Sequence, residues 1–154
     1  MNYRTPTPDD AYLSLLGRAA YTWAYTEWGL IYAVRWATGR DLSGLAGQTG
    51  GGIVDAFADM VQAKQEAVPP DVYRAAVEGS DQLVQLNRRR NDILHARPAT
   101  IDDEQRLYRW APTQAAATQG PIQPEDLETF IQQVEHARGL VTGLEEWLKS
   151  QATP

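Results

Sequence analysis

The chain has 154 residues, 43% of them hydrophobic and 22% charged, which suits one globular domain with a sizeable core. It contains no cysteine, which excludes a disulfide framework, a thiolate metal site and a cysteine nucleophile. The net charge of −6 argues against a broad electrostatic grip on duplex nucleic acid. The N-terminal segment is polar and lacks the apolar part of a secretory signal, and no stretch approaches the roughly 20 apolar residues of a membrane span. We therefore expect a cytoplasmic protein without a membrane partner.

The first predicted helix covers residues 9–38. It follows the helix-start signal Thr7-Pro8-Asp9-Asp10 and stops at Gly39. Its apolar positions alternate in steps of three and four, as one helical face requires, and are Leu13, Leu16, Ala20, Trp23, Leu30 and Val34. A second face of the same helix is aromatic, with Tyr21, Tyr25, Trp28, Tyr32 and Trp36. Such a helix is either covered on both faces by its neighbours or lies at an oligomer interface, and both alternatives stay open.

A glycine-rich connection over residues 39–52 follows the first helix. It has the glycine content of a phosphate-binding loop, but no Lys-Ser or Lys-Thr pair follows it and no strand precedes it. We therefore interpret it as a flexible turn; its glycines after the helix stop are Gly44, Gly47, Gly50, Gly51 and Gly52.

Two further helices are predicted before Pro98. The second covers residues 53–67 and ends at Pro69-Pro70. One side of it carries Ile53, Phe57, Met60 or Val61, and Lys64. The third is capped by Asp71 and extends to about residue 95.

The C-terminal part contains the last helix, which starts at Gln123-Pro124-Glu125-Asp126. Before it, residues 99–110 are irregular, with a short hairpin turning at Asp102-Asp103 left open, and residues 111–120 are predicted to form a polar loop. Four amphipathic helices without convincing alternating strands predict an all-α fold, a four-helix bundle in a single domain. Its core covers about residues 9–149, with polar tails at both ends, and the apolar face of the last helix is Leu127, Phe130, Val134, Ala137, Val141, Leu144 and Leu148.

Two opposite charges interrupt these apolar faces. Arg90 lies where the face of the third helix calls for an apolar residue, and Glu27 does the same on the first helix. A lone buried charge is too unfavourable to be retained, so we expect Glu27 and Arg90 to form a partly buried ion pair between the two helices. Because buried ion pairs are often no more stabilising than apolar packing, an anion-handling site explains the arginine better than a structural role.

Cations cluster around Arg90. Arg88, Arg89 and Arg97 accompany it against one acid, Asp92, which suits either a local anion site or a solvated helix end. Asn91 and His95 are four residues apart and share a flank of the helix, with Arg88 beside them. A histidine exchanges protons near neutral pH, and an arginine binds phosphate oxygens through two hydrogen bonds. Arginine, amide and histidine together suit the cleavage of a phosphodiester.

The segment Arg90-Asn91-Asp92-Ile93-Leu94-His95 resembles the Arg-x(4–6)-His signature of the HEPN superfamily. Directly after the arginine it has a polar residue, as the family favours, and it lies near the end of the third helix of a small bundle. Arg89 is also within the permitted spacing, but the asparagine that follows Arg90 favours Arg90.

This resemblance implies a metal-independent endoribonuclease, of a kind often found in toxin–antitoxin, CRISPR and other defence systems. It implies a homodimer whose two motifs meet across the interface, in which histidine assists attack of the ribose 2′-hydroxyl on the adjacent phosphate and arginine stabilises the developing charge. Together with the aromatic face of the first helix, it predicts a homodimer through that helix and residues 90–95. The expected catalytic residues are Arg90, His95 and Asn91, and the supporting or RNA-binding residues are Glu27, Arg88, Arg89 and Arg97.

Some members of the superfamily are not nucleases. The alternative is therefore a non-catalytic helical module that binds a nucleotide or a protein partner, and an antitoxin-like protein is one such partner. No cofactor is expected. The two histidines, His95 and His136, lack the spacing of metal ligands, so no metal site is expected either.

Overall fold

The computed structural model describes residues 6–109 and 119–152. In these residues, helices α1, α4 and α5 pack side by side, α5 contacts both of the others, and α3 packs on α1 and α4. The described part of the chain is mostly helical, as predicted, but it contains five helices and a small antiparallel sheet rather than four helices alone. These are α1 (Asp10–Thr38), α2 (Leu42–Ala46), α3 (Gly50–Ala63), α4 (Pro70–Leu94), β1 (Arg97–Ile101), β2 (Glu104–Arg109), β3 (Gly120–Pro121) and α5 (Pro124–Ala152). None of the helices in these two ranges has the length and apolar character needed to cross a membrane.

Helix α1 begins and ends where its local sequence predicts. The Asp9 side chain accepts a hydrogen bond of 2.8 Å from the backbone N–H of Tyr12, which caps the first turn. At the other end Gly39 adopts φ 68°, a left-handed conformation that glycine takes without steric penalty, and donates to the carbonyl of Arg35.

The buried face of the first half of α1 is rotated relative to the prediction. Leu13 is 43% exposed and Ala20 is exposed, whereas Tyr12 and Ala19 are buried. Tyr12 can be buried because its hydroxyl donates to the carbonyl of Ile122 and accepts from the N–H of Leu107. The pattern of aliphatic residues along one helix could not predict that Tyr12 is buried, because its two hydrogen-bond partners lie more than ninety positions away in the chain.

The glycine-rich connection is more ordered than predicted. Asp41 caps the short helix α2, and Thr49 caps α3 by accepting a hydrogen bond from the N–H of Gly52. The interpretation of residues 39–52 as a flexible turn is therefore wrong for much of the segment, because two side-chain caps compensate for the low helix propensity of glycine. Helix α3 consequently starts at Gly50, three residues earlier than predicted, and ends at Ala63, with Lys64 at its C-cap rather than on its buried side.

Helix α4 runs from Pro70 to Leu94, with Pro69 at the N-cap position, so the prediction that Asp71 is the cap is wrong by two residues. The cap has no side-chain hydrogen bond, and proline in the first turn takes its place. His95 forms the C-cap and donates its backbone N–H to the carbonyl of Asn91.

The hairpin that the sequence leaves open is present. Strands β1 and β2 pair with Ile101 opposite Glu104, and the two intervening residues, Asp102 and Asp103, have φ of 50° and 63°. Two left-handed residues in succession are typical of the tight turn that joins twisted strands, and aspartate tolerates this conformation. Strand β3 pairs with β2 and comes from the end of the predicted polar loop, whose residues 111–118 lie outside the described ranges.

Arg106 attaches this sheet to the start of α1. Its guanidinium forms salt bridges with Asp9 at 3.0 Å and Glu104 at 2.7 Å, and it lies over the ring of Tyr12 at 4.7 Å. The side chain is buried with only 8% exposed, so both carboxylates are needed to compensate its lost hydration. The sheet thus closes the end of the bundle at which α4 terminates and the Arg90–His95 segment lies.

Candidate functional site

Arg90 lies in an open pocket between α1 and α4. The side chain is half-buried, and its Nη1 donates to Oδ1 of the adjacent Asn91 at 2.9 Å. The pocket has a volume of about 230 Å³, and Glu27 lines it together with Arg90. The two charges that interrupt the apolar faces of their helices therefore meet in one place, as expected. The other lining residues are apolar: Leu16, Ala19, Ala20, Trp23, Ala24, Trp28, Ile93, Leu94 and Phe130.

The expected direct ion pair is not formed. Among the described residues, the ion pairs within 4.0 Å do not include one between Glu27 and Arg90. Instead Glu27 Oε2 accepts a hydrogen bond of 2.8 Å from Trp23 Nε1, while the arginine donates to Asn91. Because both charged side chains are only half-buried, each keeps contact with solvent and does not need the other for neutralisation. The prediction of the shared location is right, and the prediction of direct pairing is wrong.

Gly50, at the start of α3, forms the floor between the two charged groups. A Cβ atom at this position would lie 3.1 Å from Glu27 Oε2, a crowded contact, and 3.6 Å from Arg90 Cζ, an ordinary one, so glycine lets the carboxylate approach the helix closely. Asn87 lies there too, because the same Cβ would be 3.5 Å from its Oδ1. The first turn of α3 contributes backbone dipoles that point their positive end toward this region.

Gly50 and Asn87 are site residues that sequence reasoning missed. Asn87 precedes Arg90 by three residues on one helix, so helical spacing could have identified it as a neighbour of the arginine. Its Oδ1 is buried and has no hydrogen-bond partner in the described part of the protein. Gly50 had no comparable signal, because its role depends on where α3 lies relative to α1 and α4.

His95 lies at the end of α4, outside the Arg90 pocket. Its backbone has φ −99° and ψ 4°, and its side chain is exposed to solvent. It is five residues from Arg90, which at 100° per residue puts the two side chains on different sides of the helix. In one copy of the chain the arginine, the asparagine and the histidine therefore do not converge on one pocket, contrary to the expectation from their spacing.

The remaining cations of the cluster are distributed around the end of α4. Arg89 faces α5, where it hydrogen-bonds the side chain of Gln133, and it lines a second cavity that also contains Asp92 and a salt bridge of 3.2 Å between Arg109 and Asp126. The charges in that cavity balance, which makes it a poor anion site.

Arg88 and Arg97, the other two cations of the cluster, are both exposed. The guanidinium of Arg97, in β1, lies 5.2 Å from the ring centre of Tyr108. The four arginines thus do not form one anion site in a single copy; Arg90 has a pocket, and the others flank it.

The aromatic face of α1 is exposed. Four of its side chains, Tyr21, Tyr25, Trp28 and Tyr32, have exposed fractions of 73%, 61%, 45% and 39%. The alternative in which neighbouring helices cover both faces of α1 is therefore wrong for these four residues. Trp28 belongs both to this face and to the wall of the Arg90 pocket, and Leu94, which is 55% exposed, borders the pocket from α4. The pocket thus opens beside a large apolar surface.

No group of three or more histidine, aspartate or glutamate side chains suited to holding a metal ion occurs in residues 6–109 and 119–152. Comparisons of the chain with protein-family models, with curated proteins and with solved structures found no match. Any functional proposal therefore depends on the residues of this site and on their geometry.

Proposed function

We propose that the protein is a metal-independent endoribonuclease of HEPN type that acts as a homodimer. The observation that carries the proposal is the position of Arg90: a half-buried guanidinium in an open pocket, five residues before an exposed histidine at the end of the same helix. An arginine in this setting is partly dehydrated but still accessible, which strengthens its interaction with a phosphate.

The proposed reaction needs one proton acceptor and one fixed cation. His95 removes the proton from a ribose 2′-hydroxyl, whose oxygen then attacks the adjacent phosphorus and displaces the 5′-oxygen of the next nucleotide. The leaving 5′-oxygen takes up a proton from water, to which His95 returns the proton it accepted, so the products are a 2′,3′-cyclic phosphate and a free 5′-hydroxyl. Arg90 stabilises the negative charge that develops on the phosphate oxygens, and Asn91 holds the guanidinium in position through the 2.9 Å hydrogen bond.

A second copy of the chain supplies the histidine that the Arg90 pocket of one copy lacks. Within one copy the exposed His95 does not line the Arg90 pocket, so the two groups need a partner surface to act on one phosphate. The exposed aromatic face of α1 lies next to this pocket and has the composition of an interface, which supports assembly through α1 and the end of α4. Arg88 and Arg97 then remain exposed to contact the RNA backbone.

The alternative is a non-catalytic module that binds a nucleotide or a protein partner. In such a module we expect core contacts to hold the histidine. His95 is instead exposed, which favours the catalytic proposal. A role in defence, with an antitoxin-like inhibitor, belongs to the proposal only through the HEPN resemblance.

The test is incubation of the purified protein with mixed RNA in EDTA. Cleavage should persist in EDTA, spare DNA of the same sequence and leave 2′,3′-cyclic phosphate ends. His95→Ala should reduce the rate by about 10²–10⁴-fold, because it removes proton transfer. His136→Ala is the matched control, since His136 is exposed on α5, and it should cleave like the wild type. Arg90→Ala should also abolish cleavage.

Three results would contradict the proposal. Activity that disappears in EDTA would indicate a metal-dependent enzyme, and unchanged cleavage by His95→Ala would remove the proposed base. A monomeric mass by light scattering at micromolar concentration would contradict the homodimer. If no RNA is cleaved, including in the presence of cell extract as a source of an activator, the binding module becomes the better assignment.

A further inference from the structure

The Arg90 pocket has three aromatic side chains in its wall, of which Trp28 has an exposed ring. Trp23, Trp28 and Phe130 line it, and its volume of about 230 Å³ exceeds the roughly 150 Å³ of an apolar cavity that holds benzene. A two-ring base therefore fits by size. Because Ala20 and Ala24 at its rim are small and exposed, a base can enter from solvent without displacing a helix.

The polar end of the pocket offers hydrogen-bond acceptors. A carboxylate has about four acceptor sites, and Glu27 uses one of them for Trp23 Nε1. In the described part of the chain Glu27 has no salt bridge that would occupy the others. An acceptor-rich group in a mostly apolar pocket selects a ligand that carries N–H donors on the edge of its ring.

Among the RNA bases, guanine matches a carboxylate best. Its N1–H and its 2-amino group point in the same direction and can donate to the two oxygens of one carboxylate. Adenine and cytosine each offer a single amino group beside an acceptor nitrogen, and uracil offers one N–H between two carbonyl oxygens, which repel a carboxylate. Such paired hydrogen bonds discriminate between bases by about 5-fold to 150-fold.

We propose that this pocket binds a guanine base, with Glu27 accepting hydrogen bonds from N1–H and the 2-amino group and the ring of Trp28, which is 45% exposed, stacking on the base. Arg90, at the same end of the pocket, remains available for a phosphate next to the bound nucleotide. The assignment of RNA as the source of the guanine depends on the proposed function, whereas binding of the base itself does not. The pocket would make the enzyme cleave beside guanosine.

Calorimetric titration of the intact protein with single nucleotides tests this proposal without any cleavage. GMP should bind at least about 10-fold more tightly than AMP, CMP or UMP. IMP, which keeps N1–H but lacks the 2-amino group, should bind with intermediate affinity. This series needs no variant, so the result does not depend on how a substitution affects folding.

A pair of matched variants identifies the group that selects guanine. Glu27→Gln keeps the side-chain volume but replaces one acceptor oxygen by a donor, and it should lower GMP affinity by about 10-fold to 100-fold. Glu128→Gln, at an exposed position on α5, makes the same chemical change away from the pocket and should bind GMP like the wild type. Equal affinity for GMP and AMP, no binding at millimolar nucleotide, or an unchanged preference in Glu27→Gln would overturn the proposal.

The source of the guanine is tested with short RNAs and the His95→Ala variant, which should cleave them too slowly to disturb a binding measurement. An oligoribonucleotide with one guanosine should bind more tightly than its adenosine counterpart. A preference restricted to free GMP would contradict the RNA assignment and identify a nucleotide site. Guanine binding without any ribonuclease activity would refute the proposed function but not the guanine site. Cleavage without guanine preference would refute the guanine site but not the proposed function.

Discussion

Replacing Gly79 by alanine tests the contact between α4 and α5 that positions the candidate site. A Cβ atom on Gly79 would lie 2.7 Å from Val141 Cγ1, 2.9 Å from Leu140 Cβ and 3.0 Å from the carbonyl oxygen of Ala137. The valine has a restricted χ1, and the other two atoms belong to or adjoin the backbone of α5, so the helices must separate to admit a methyl group. Overpacking of this kind costs about 1–3 kcal/mol, which exceeds the gain of at most about 1 kcal/mol in helix propensity.

We therefore expect Gly79→Ala to lower the free energy of unfolding, measured by urea denaturation followed by circular dichroism. Gly139→Ala is the control, because Gly139 is also inside a helix but a Cβ there meets nothing within 4 Å, and it should stabilise by about 0.5–1 kcal/mol. The two variants should thus change stability in opposite directions when compared at equal protein concentration. A Gly79→Ala protein as stable as Gly139→Ala would refute the close packing of α4 on α5.

Two further predictions concern the buried polar groups that hold the helices together. Tyr12→Phe removes a buried hydroxyl with two backbone partners, so we expect a loss of about 1–3 kcal/mol in urea denaturation; no loss would show that the sheet does not depend on this residue. Burial raises the pKa of Glu145 above 4.5, against the opposing effect of Arg138, so the stability that this glutamate contributes is present below pH 4.5 and is lost as the pH rises through its folded pKa. Glu145→Gln should therefore gain stability relative to the wild type between pH 4.5 and neutral pH, and a constant difference over this range would contradict the raised pKa.

The ends of α1 could be predicted because they depend on nearby residues. Asp9 caps α1 through a residue three positions away, and Gly39 ends it through its own backbone conformation. The hairpin turn at Asp102-Asp103 is local in the same sense. The glycine-rich connection was misjudged because glycine content outweighed the caps Asp41 and Thr49, although both caps are visible in the sequence.

The candidate site could be predicted only in part. The positions of Glu27 and Arg90 inside two apolar faces predicted that they lie in the same pocket, since a charge on a core-facing stripe needs polar surroundings or solvent. Their separation could not be foreseen, because Trp23 and Asn91 provide nearer partners whose side-chain directions depend on the packed helices. The short sequence spacing between Arg90 and His95 did not bring them to one pocket, because five residues of helix place the two side chains on different sides of α4.

The sequence by itself determined the four long helices, both ends of α1 and the presence of an arginine where the core pattern breaks, because each depends on hydrogen bonds or periodicity within one segment. Only the tertiary structure decided that Gly50 from α3 lies against Glu27 from α1 and Arg90 from α4. It also decided that the aromatic face of α1 stays uncovered, although its composition would suit a core equally well. Contacts between distant segments depend on how helices pack on one another. A periodic pattern predicts which side of a helix is buried, but not which other helix packs against that side.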